Sequence, residues 1–421
     1  MKFVLISKDG DFLPLLKRIE NEGNEVVAYV DAEHPLYENM IPQVDNALEL
    51  KLDKDDVIIF DMVGAGAAAD RVGASMPNVL GGGSINDRIE LDRKFGTDFM
   101  AKHGINTPPT WEFDTIDKTR KFVEEHPERY VFKPNGNLET DLTYVSSSAE
   151  DLLAVLPYLE ERIPEGTEFE LQQFVEGVEM STEAWFNGER FLQPINSTME
   201  EKKFMVGNVG PATGCMGNVV WSWDKKTSQF LYEYLFQPLE ADLKKAGYLG
   251  PLDINGIWNG DGIHALEFTA RFGYDAIQAY SRLIRMPLGE FLRDLRKLDK
   301  MPVSTSELAL AVRVSIPPFP SDGDVPKVPV RGLDDPDKIY LSDVYFDKDL
   351  EMYRCAGSDG YILSVCANGP TVASCQAQAY PVIESLEIPN KQYRVDIGER
   401  YVHDRDEIAH IIRTVSRRRG S

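Results

Sequence analysis

Four residues of one hairpin could do chemistry together: Asp253, Glu267, Thr269 and Arg271, in "LDINGIWNGDGIHALEFTARFG" (252–273). A carboxylate in the middle of an apolar strand is costly unless a cation or a proton meets it. Two strands, 252–258 and 263–269, flank "NGDG", whose Asn-Gly and Asp-Gly steps are strong hairpin signals. Leu252, Ile254 and Trp258 are apolar at even positions of the first strand, Leu266 and Phe268 at even positions of the second. Matching even to even calls for an odd-length loop such as 260–262. It sets Asp253 opposite Thr269, with Glu267 diagonal to it on the same face. Two carboxylates on one patch are either a solvated polar face or oxygen ligands for a hard divalent cation, and spacing alone leaves both open.

Two other stretches bear on the choice. "VGNVGPATGCMGN" (206–218) is a glycine-rich loop of little periodicity, able to bring backbone N–H groups against an anion or simply to turn. "YVFKPNGN" ends a strand on Lys133, either a phosphate ligand or a surface charge. His103 and His264 read as structural. Cys215 reads as a small residue filling a tight loop rather than a reactive thiol.

The elements that must position these groups form a 421-residue chain of net charge −24 and pI near 4.7. That balance argues against a broad nucleic-acid surface but leaves room for a locally basic pocket. Four cysteines without CxxC spacing exclude a disulfide scaffold and a structural zinc site. No apolar run reaches membrane-spanning length and "MKFVLIS" is too short for a signal sequence, so a cytoplasmic protein without membrane contact is expected. Strands alternate with helices up to about residue 90, predicting a small parallel α/β domain. One helix is expected from Ile89 to Gly104, a β-α-β-β-α-β-β pattern over 111–189, and a long helix over 228–247. From about 307 the chain turns strand-rich, and its "SRRRGS" tail reads as a solvated end.

Taken in order, these stretches resemble an ATP-grasp ligase, specifically phosphoribosylamine–glycine ligase (glycinamide ribonucleotide synthetase). That family's "GDTGPNTGGMG" is matched by "GNVGPATGCMG", its "LEFNARFGDPETQ" by "LEFTARFGYDAIQ", its hinge "EEFLEGEE" by "QQFVEGVE", and its "YRRDIG" by "YRVDIG". The resemblance implies an α/β chain of four parts. These are an N-terminal Rossmann-like domain (1–92), a central ATP-grasp domain (93–112 and 190–303), a lid subdomain (113–189) and a small β-rich C-terminal domain (304–421). It implies ATP between the two clamp parts, with Lys133 on phosphates, the backbone of Gln173, Phe174 and Val175 on adenine, and Glu179 on the ribose. Glu267 would take Mg²⁺ (or Mn²⁺), joined by Thr269 at the family's metal asparagine. Asp253 resembles a metal aspartate of other ATP-grasp ligases. Arg271 and Lys202 would act at the reacting groups, and Gly210, Thr213, Gly214, Met216 and Gly217 would line the substrate loop.

The implied chemistry is carboxylate phosphorylation to an acyl phosphate followed by amine attack, with the protein supplying position and charge. Implied partners are ATP, a small carboxylate with glycine among the candidates, and a small amine or nucleotide; the chain would be a monomer or homodimer. The departures are as informative. The family's phosphate-holding turn "GGREHA" becomes "KDGDFL", placing acids where a phosphate would sit. Its "KADGLAAGKGV" becomes "KPNGNLETDLTYV", with Asp141 replacing the second lysine. Three readings stay open: a ligase with an altered acceptor in nucleotide or base modification, a divergent purine-pathway ligase, and a binding or regulatory protein that no longer turns over.

Overall fold

The structure is a computed structural model and describes residues 1–135, 142–164 and 166–419. Asp141 and the segment 136–140 around the altered lid lie outside the described residues. The N-terminal part is a four-stranded parallel sheet of β1 (Phe3–Ser7), β2 (Val26–Val30), β3 (Val57–Phe60) and β4 (Val79–Leu80), in the order β2-β1-β3-β4. The apolar run "VIIF" of β3 is buried throughout, as a central parallel strand must be. Helix Leu13–Asn21 follows β1 and buries Leu13, Leu15, Leu16 and Ile19 against it.

The single helix expected from Ile89 is two helices, Ser84–Leu91 and Arg93–Lys102. Asp92 leaves helical backbone and its carboxylate accepts the Phe95 N–H at 2.9 Å, capping the second helix. A clamp sheet follows: β5 (Thr110–Phe113), β6 (Tyr130–Pro134), β7 (Tyr144–Val145) and β8 (Phe169–Gln173), ordered β5-β8-β6-β7. Helices Ile116–Glu125 and Ala149–Arg162 bury Val123, Leu152, Leu156 and Leu159 in its core.

The strands that come next are β9 (Val178–Phe186), β10 (Asn196–Glu200), the short pair β11 (Lys203–Met205) and β12 (Val209–Ala212), and β13 (Gly217–Ser222). The hairpin is β14 (Gly250–Asn259) and β15 (Gly262–Thr269), followed by β16 (Leu308–Ser315). The chain ends with β17 (Pro329–Val330), β18 (Ile339–Leu341), β19 (Val344–Asp347), β20 (Met352–Cys355) and β21 (Tyr361–Gly369). Eight of these form one sheet, β15-β14-β9-β10-β13-β16-β21-β18.

That sheet crosses two boundaries expected from the sequence. β9 pairs with β14 and β10 rather than joining the clamp, so the clamp sheet ends at Gln173 instead of 189. β16 pairs with β13, so the sheet runs on past residue 303; a separate three-stranded sheet is built by β17, β20 and β19. Apolar content alone does not tell which sheet a strand joins. The long helix expected over 228–247 is broken into Lys225–Leu231, a π-helical turn Tyr232–Phe236, a 3₁₀ turn Gln237–Leu239 and Glu240–Lys245. Pro238 has no N–H to continue the ladder. The basic tail is the end of helix Glu399–Arg419, whose Ile408, Ile411, Ile412 and Val415 enter the main core, and Arg418 donates to the Gly260 carbonyl at 2.8 Å. No helix among the described residues is long and apolar enough to cross a membrane.

Candidate active site

The hairpin register places Asp253 opposite Thr269 and Asn255 opposite Glu267, so the carboxylates share a face. The route differs from the odd-length loop inferred from the apolar pattern. Asn259 pairs with Gly262 across a two-residue turn, and a bulge beside Asn255 inserts Leu266 as the extra residue. The bulge switches the inward positions of β15 from Ile263 and Ala265 to Phe268 and Ala270, all buried. It also turns Leu266 and Glu267 toward a cleft shared with Glu90, Arg93, Lys133 and Glu170.

The same register runs on across the sheet. Thr269, Asp253, Glu183, Asn196 and Ser222 form one row over five strands, each facing its neighbour. The next row is Glu267, Asn255, Ser181 and Thr198. Two adjacent rows on one face of the sheet are therefore polar.

Glu267 stands among cations. Arg93 donates from Nη1 to its Oε2 at 2.9 Å. Burial alone would push its pKa up, but Lys133, Arg93 and Lys202 outweigh that and hold it at about 2. Lys133 lies on β6, buried, facing Glu170 of β8 and donating to Gln172 Oε1 at 3.0 Å. Burial pulls its pKa down, and Glu267 works against that. Lys202 donates to Glu179 Oε1 at 2.8 Å and lies 3.8 Å from Glu200. Burial disfavours its charge, but Glu179 and Glu200 prevail and keep it protonated.

Asp253 keeps different company. Burial, then Glu183 and Glu200, raise its pKa well above the carboxylate range. Glu183, opposite it, is pushed up to about 7 by burial while accepting from the Trp185 indole at 3.2 Å. Asp253 and Glu267 therefore share a face, with cations gathered around Glu267 and acids around Asp253. Among the described residues no group of three or more His, Cys, Asp or Glu is arranged to hold a metal. One ionised carboxylate is nevertheless what Mg²⁺ needs when nucleotide phosphates supply the other oxygens. Glu267 fits that, Thr269 offers a hydroxyl, and Asp253 faces Thr269 across the hairpin.

At the hinge, the Gln173 N–H is bonded to the Pro109 carbonyl and the Phe174 N–H to the Arg129 carbonyl. The Arg129 guanidinium lies 3.4 Å over the Phe174 ring. The N–H groups of two of the three residues whose backbone is expected at adenine are therefore engaged within the protein, and Val175 is half-buried beside them. Glu179 is engaged by Lys202, and its carbonyl by Arg400 at 2.6 Å.

The glycine-rich loop starts on the β11–β12 hairpin, on which Gly210 is exposed. Thr213 is buried and donates to the Lys202 carbonyl at 3.0 Å. Gly214 is exposed, whereas Met216 is buried and its N–H bonds the Glu201 carbonyl at 2.8 Å. Gly217 has φ +155°, and a Cβ there would lie 2.6 Å from the Ala311 carbonyl. Arg394 of "YRVDIG" anchors this loop. It forks onto Asp396 at 2.8 and 2.7 Å and donates to the Lys203 carbonyl and to Asn208 at 2.8 Å each. Cys215 is buried, and burial pushes its thiol well up, so it is not a poised nucleophile.

Arg271 donates to Glu90 at 2.9 Å, and Glu90 also takes the Ala270 N–H at 2.6 Å. Beyond it, Arg313 pairs with Asp275 at 3.3 Å and lies 3.9 Å over the Tyr361 ring. Sequence reasoning missed Arg93, Glu183, Arg313 and Arg394. Only Arg394 carried a signal, the "YRVDIG" match, which fixed its place and not its partners.

Residues 91–276 match the family model described as phosphoribosylglycinamide synthetase, ATP-grasp (A) domain. The phosphoribosylamine–glycine ligase of Corynebacterium ammoniagenes is 26% identical over 349 residues, covering 79% of this chain and 79% of that protein. The one from Neisseria meningitidis serogroup A is 24% identical over 428 residues, covering 91% and 99%. Among solved structures, phosphoribosylamine–glycine ligase from Thermotoga maritima superposes with a TM-score of 0.75 at 20% identity, covering 94% of this chain and 100% of that one. An L-amino acid ligase from Bacillus licheniformis gives 0.59 at 14% identity, covering 92% and 98%. The fold is ATP-grasp, and the chain resembles phosphoribosylamine–glycine ligase over most of its length.

Proposed function

We propose that this ATP-grasp chain is a carboxylate–amine ligase acting through an acyl phosphate, with an acceptor other than phosphoribosylamine. The observation that carries the reading is the cationic set Lys133, Arg93 and Lys202 around an ionised Glu267, at the seam between the clamp and the polar sheet face. In a chain of net charge −24, cations gathered in a cleft suit a triphosphate.

Lys133 would meet the phosphates, Val175 the adenine edge and Glu179 the ribose. Glu267, with Thr269, would hold Mg²⁺ or Mn²⁺, which neutralises phosphate charge when bound. A carboxylate oxygen of the donor attacks the γ-phosphorus and ADP leaves. The amine then attacks the acyl carbon; the C–N bond forms, the C–O bond to phosphate breaks, and inorganic phosphate departs as the amine loses its proton to water. Arg271 and Lys202 are cations able to offset the charge that develops, and the loop from Gly210 to Gly217 would close over the donor. Positioning and charge carry the rate.

The altered acceptor rests on Asp9 and Asp11 in the turn after β1. A second reading, phosphoribosylamine and glycine as substrates, is favoured by the names of the relatives. ADP release separates the two. Phosphoribosylamine with glycine gives little turnover on the first reading, and turnover on the order of 1 s⁻¹ or above on the second.

A further inference from the structure

The turn between β1 and helix Leu13–Asn21 lies at the carboxyl ends of parallel strands, where α/β sheets bind ligands. Three of its donors are already used. Asp61, the residue after β3, accepts the Ser7 hydroxyl and the Phe12 N–H through Oδ2, each at 2.9 Å. Ser7 Oγ in turn accepts the Gly10 N–H at 2.7 Å. Hydroxyl and N–H groups at a helix start are what an anionic ligand would need, and here the chain's own carboxylate takes them.

Asp61 is 1% exposed, and its other oxygen, Oδ1, has no hydrogen-bond partner among the described residues. A buried acceptor left waiting calls for a donor. Asp11, half-buried on the same turn, feels Asp9 and Asp359, and Asp61 feels Asp11. Two guanidiniums reach the same place, but Arg271 is paired with Glu90 and Arg313 with Asp275. Asp9 and Asp11 on the turn and Asp61 beneath it thus share their surroundings with one cation of the turn itself, Lys8, and with two guanidiniums already paired elsewhere.

We infer that the acceptor is a small amine with a second, cationic nitrogen and no phosphate, whose cationic end is held by Asp11 above the turn that Asp61 fills. The inference rests on the ligase reading: the free amine forms the amide while the cationic end stays protonated and only positions it.

Three amines sharing one aminoethyl group test it: ethylenediamine, ethanolamine and O-phosphoethanolamine, each with ATP, Mg²⁺ and a panel of carboxylates that includes glycine. Expected is kcat/KM at least tenfold higher for ethylenediamine than for ethanolamine, with O-phosphoethanolamine lowest. Asp11→Asn should bring the first two within about threefold while leaving ATP binding intact. Equal or better use of O-phosphoethanolamine overturns the inference. Hydroxylamine in place of the amine reads the ligase separately. Hydroxamate formed while all three amines are refused overturns the acceptor class and leaves the ligase standing. If no hydroxamate forms, the ligase reading falls, and calorimetric binding of the three amines to the MgADP-loaded protein decides the tail preference. Tighter binding of O-phosphoethanolamine than of ethylenediamine again overturns it.

Discussion

Glu267→Gln removes one negative charge from among Lys133, Arg93 and Lys202. Convergence of two carboxylates would make that change stabilising, but the geometry reverses the sign. The Glu267 pKa is lowered from 4.5 to about 2, so the folded state favours its ionised form. A depressed carboxylate contributes stability that is fully present above its unfolded pKa and is lost as pH falls through the folded one, here between about 4.5 and 2. The shift alone corresponds to roughly 3 kcal/mol. With the side chain 42% exposed, solvent screening cuts this to about 1 kcal/mol. Glu267→Gln is therefore expected to be less stable than the parent by about 1 kcal/mol across pH 6 to 8 in urea unfolding followed by tryptophan fluorescence, and to lose Mg²⁺-dependent turnover. A variant as stable as the parent or more so at pH 7 refutes the cationic environment.

Other outcomes are expected. ATP with Mg²⁺ should raise the melting temperature, about 2.7 kcal/mol of stabilisation at a hundredfold excess over Kd, and Lys133→Ala should remove most of that shift without unfolding the protein. Arg394→Met leaves Asp396 and Glu201 without their cation and should cost about 3 kcal/mol in denaturant unfolding, whereas Asn208→Ala should cost far less. Asp61, raised from 3.8 to about 7 chiefly by burial, penalises the fold as pH climbs through that window. Asp61→Asn should therefore match the parent near pH 4 and exceed it by about 2 kcal/mol at pH 8; a constant difference across that range contradicts the assignment. Cys215 should resist a thiol reagent in the native protein and react only on unfolding.

Local periodicity made the N-terminal strands, the clamp helices and the hairpin readable, because each is decided within a dozen residues. The Asp253–Thr269 pairing was readable too, but for an incomplete reason. The apolar count passed over Ile263, which sits on the opposite parity from Phe268, and a bulge reconciles them. Which sheet β9 and β16 join was not readable, since long-range pairing leaves little mark on composition. Nor was the cationic set: Arg93 lies 174 residues from Glu267 in sequence, Lys133 is on the clamp sheet and Lys202 is in the link between β10 and β11. Nothing in the sequence singles out Asp61, and only the fold brings it under the turn of Ser7 and Phe12.

The central claim is that ATP activates a carboxylate as an acyl phosphate. The most direct measurement uses carboxylates labelled with ¹⁸O, glycine first, incubated with ATP, Mg²⁺ and an amine, with mass spectrometry of the released phosphate. One ¹⁸O in the inorganic phosphate for each amide formed is the predicted result. Amide formed with unlabelled phosphate, or phosphate released at the same rate without any carboxylate, would contradict it.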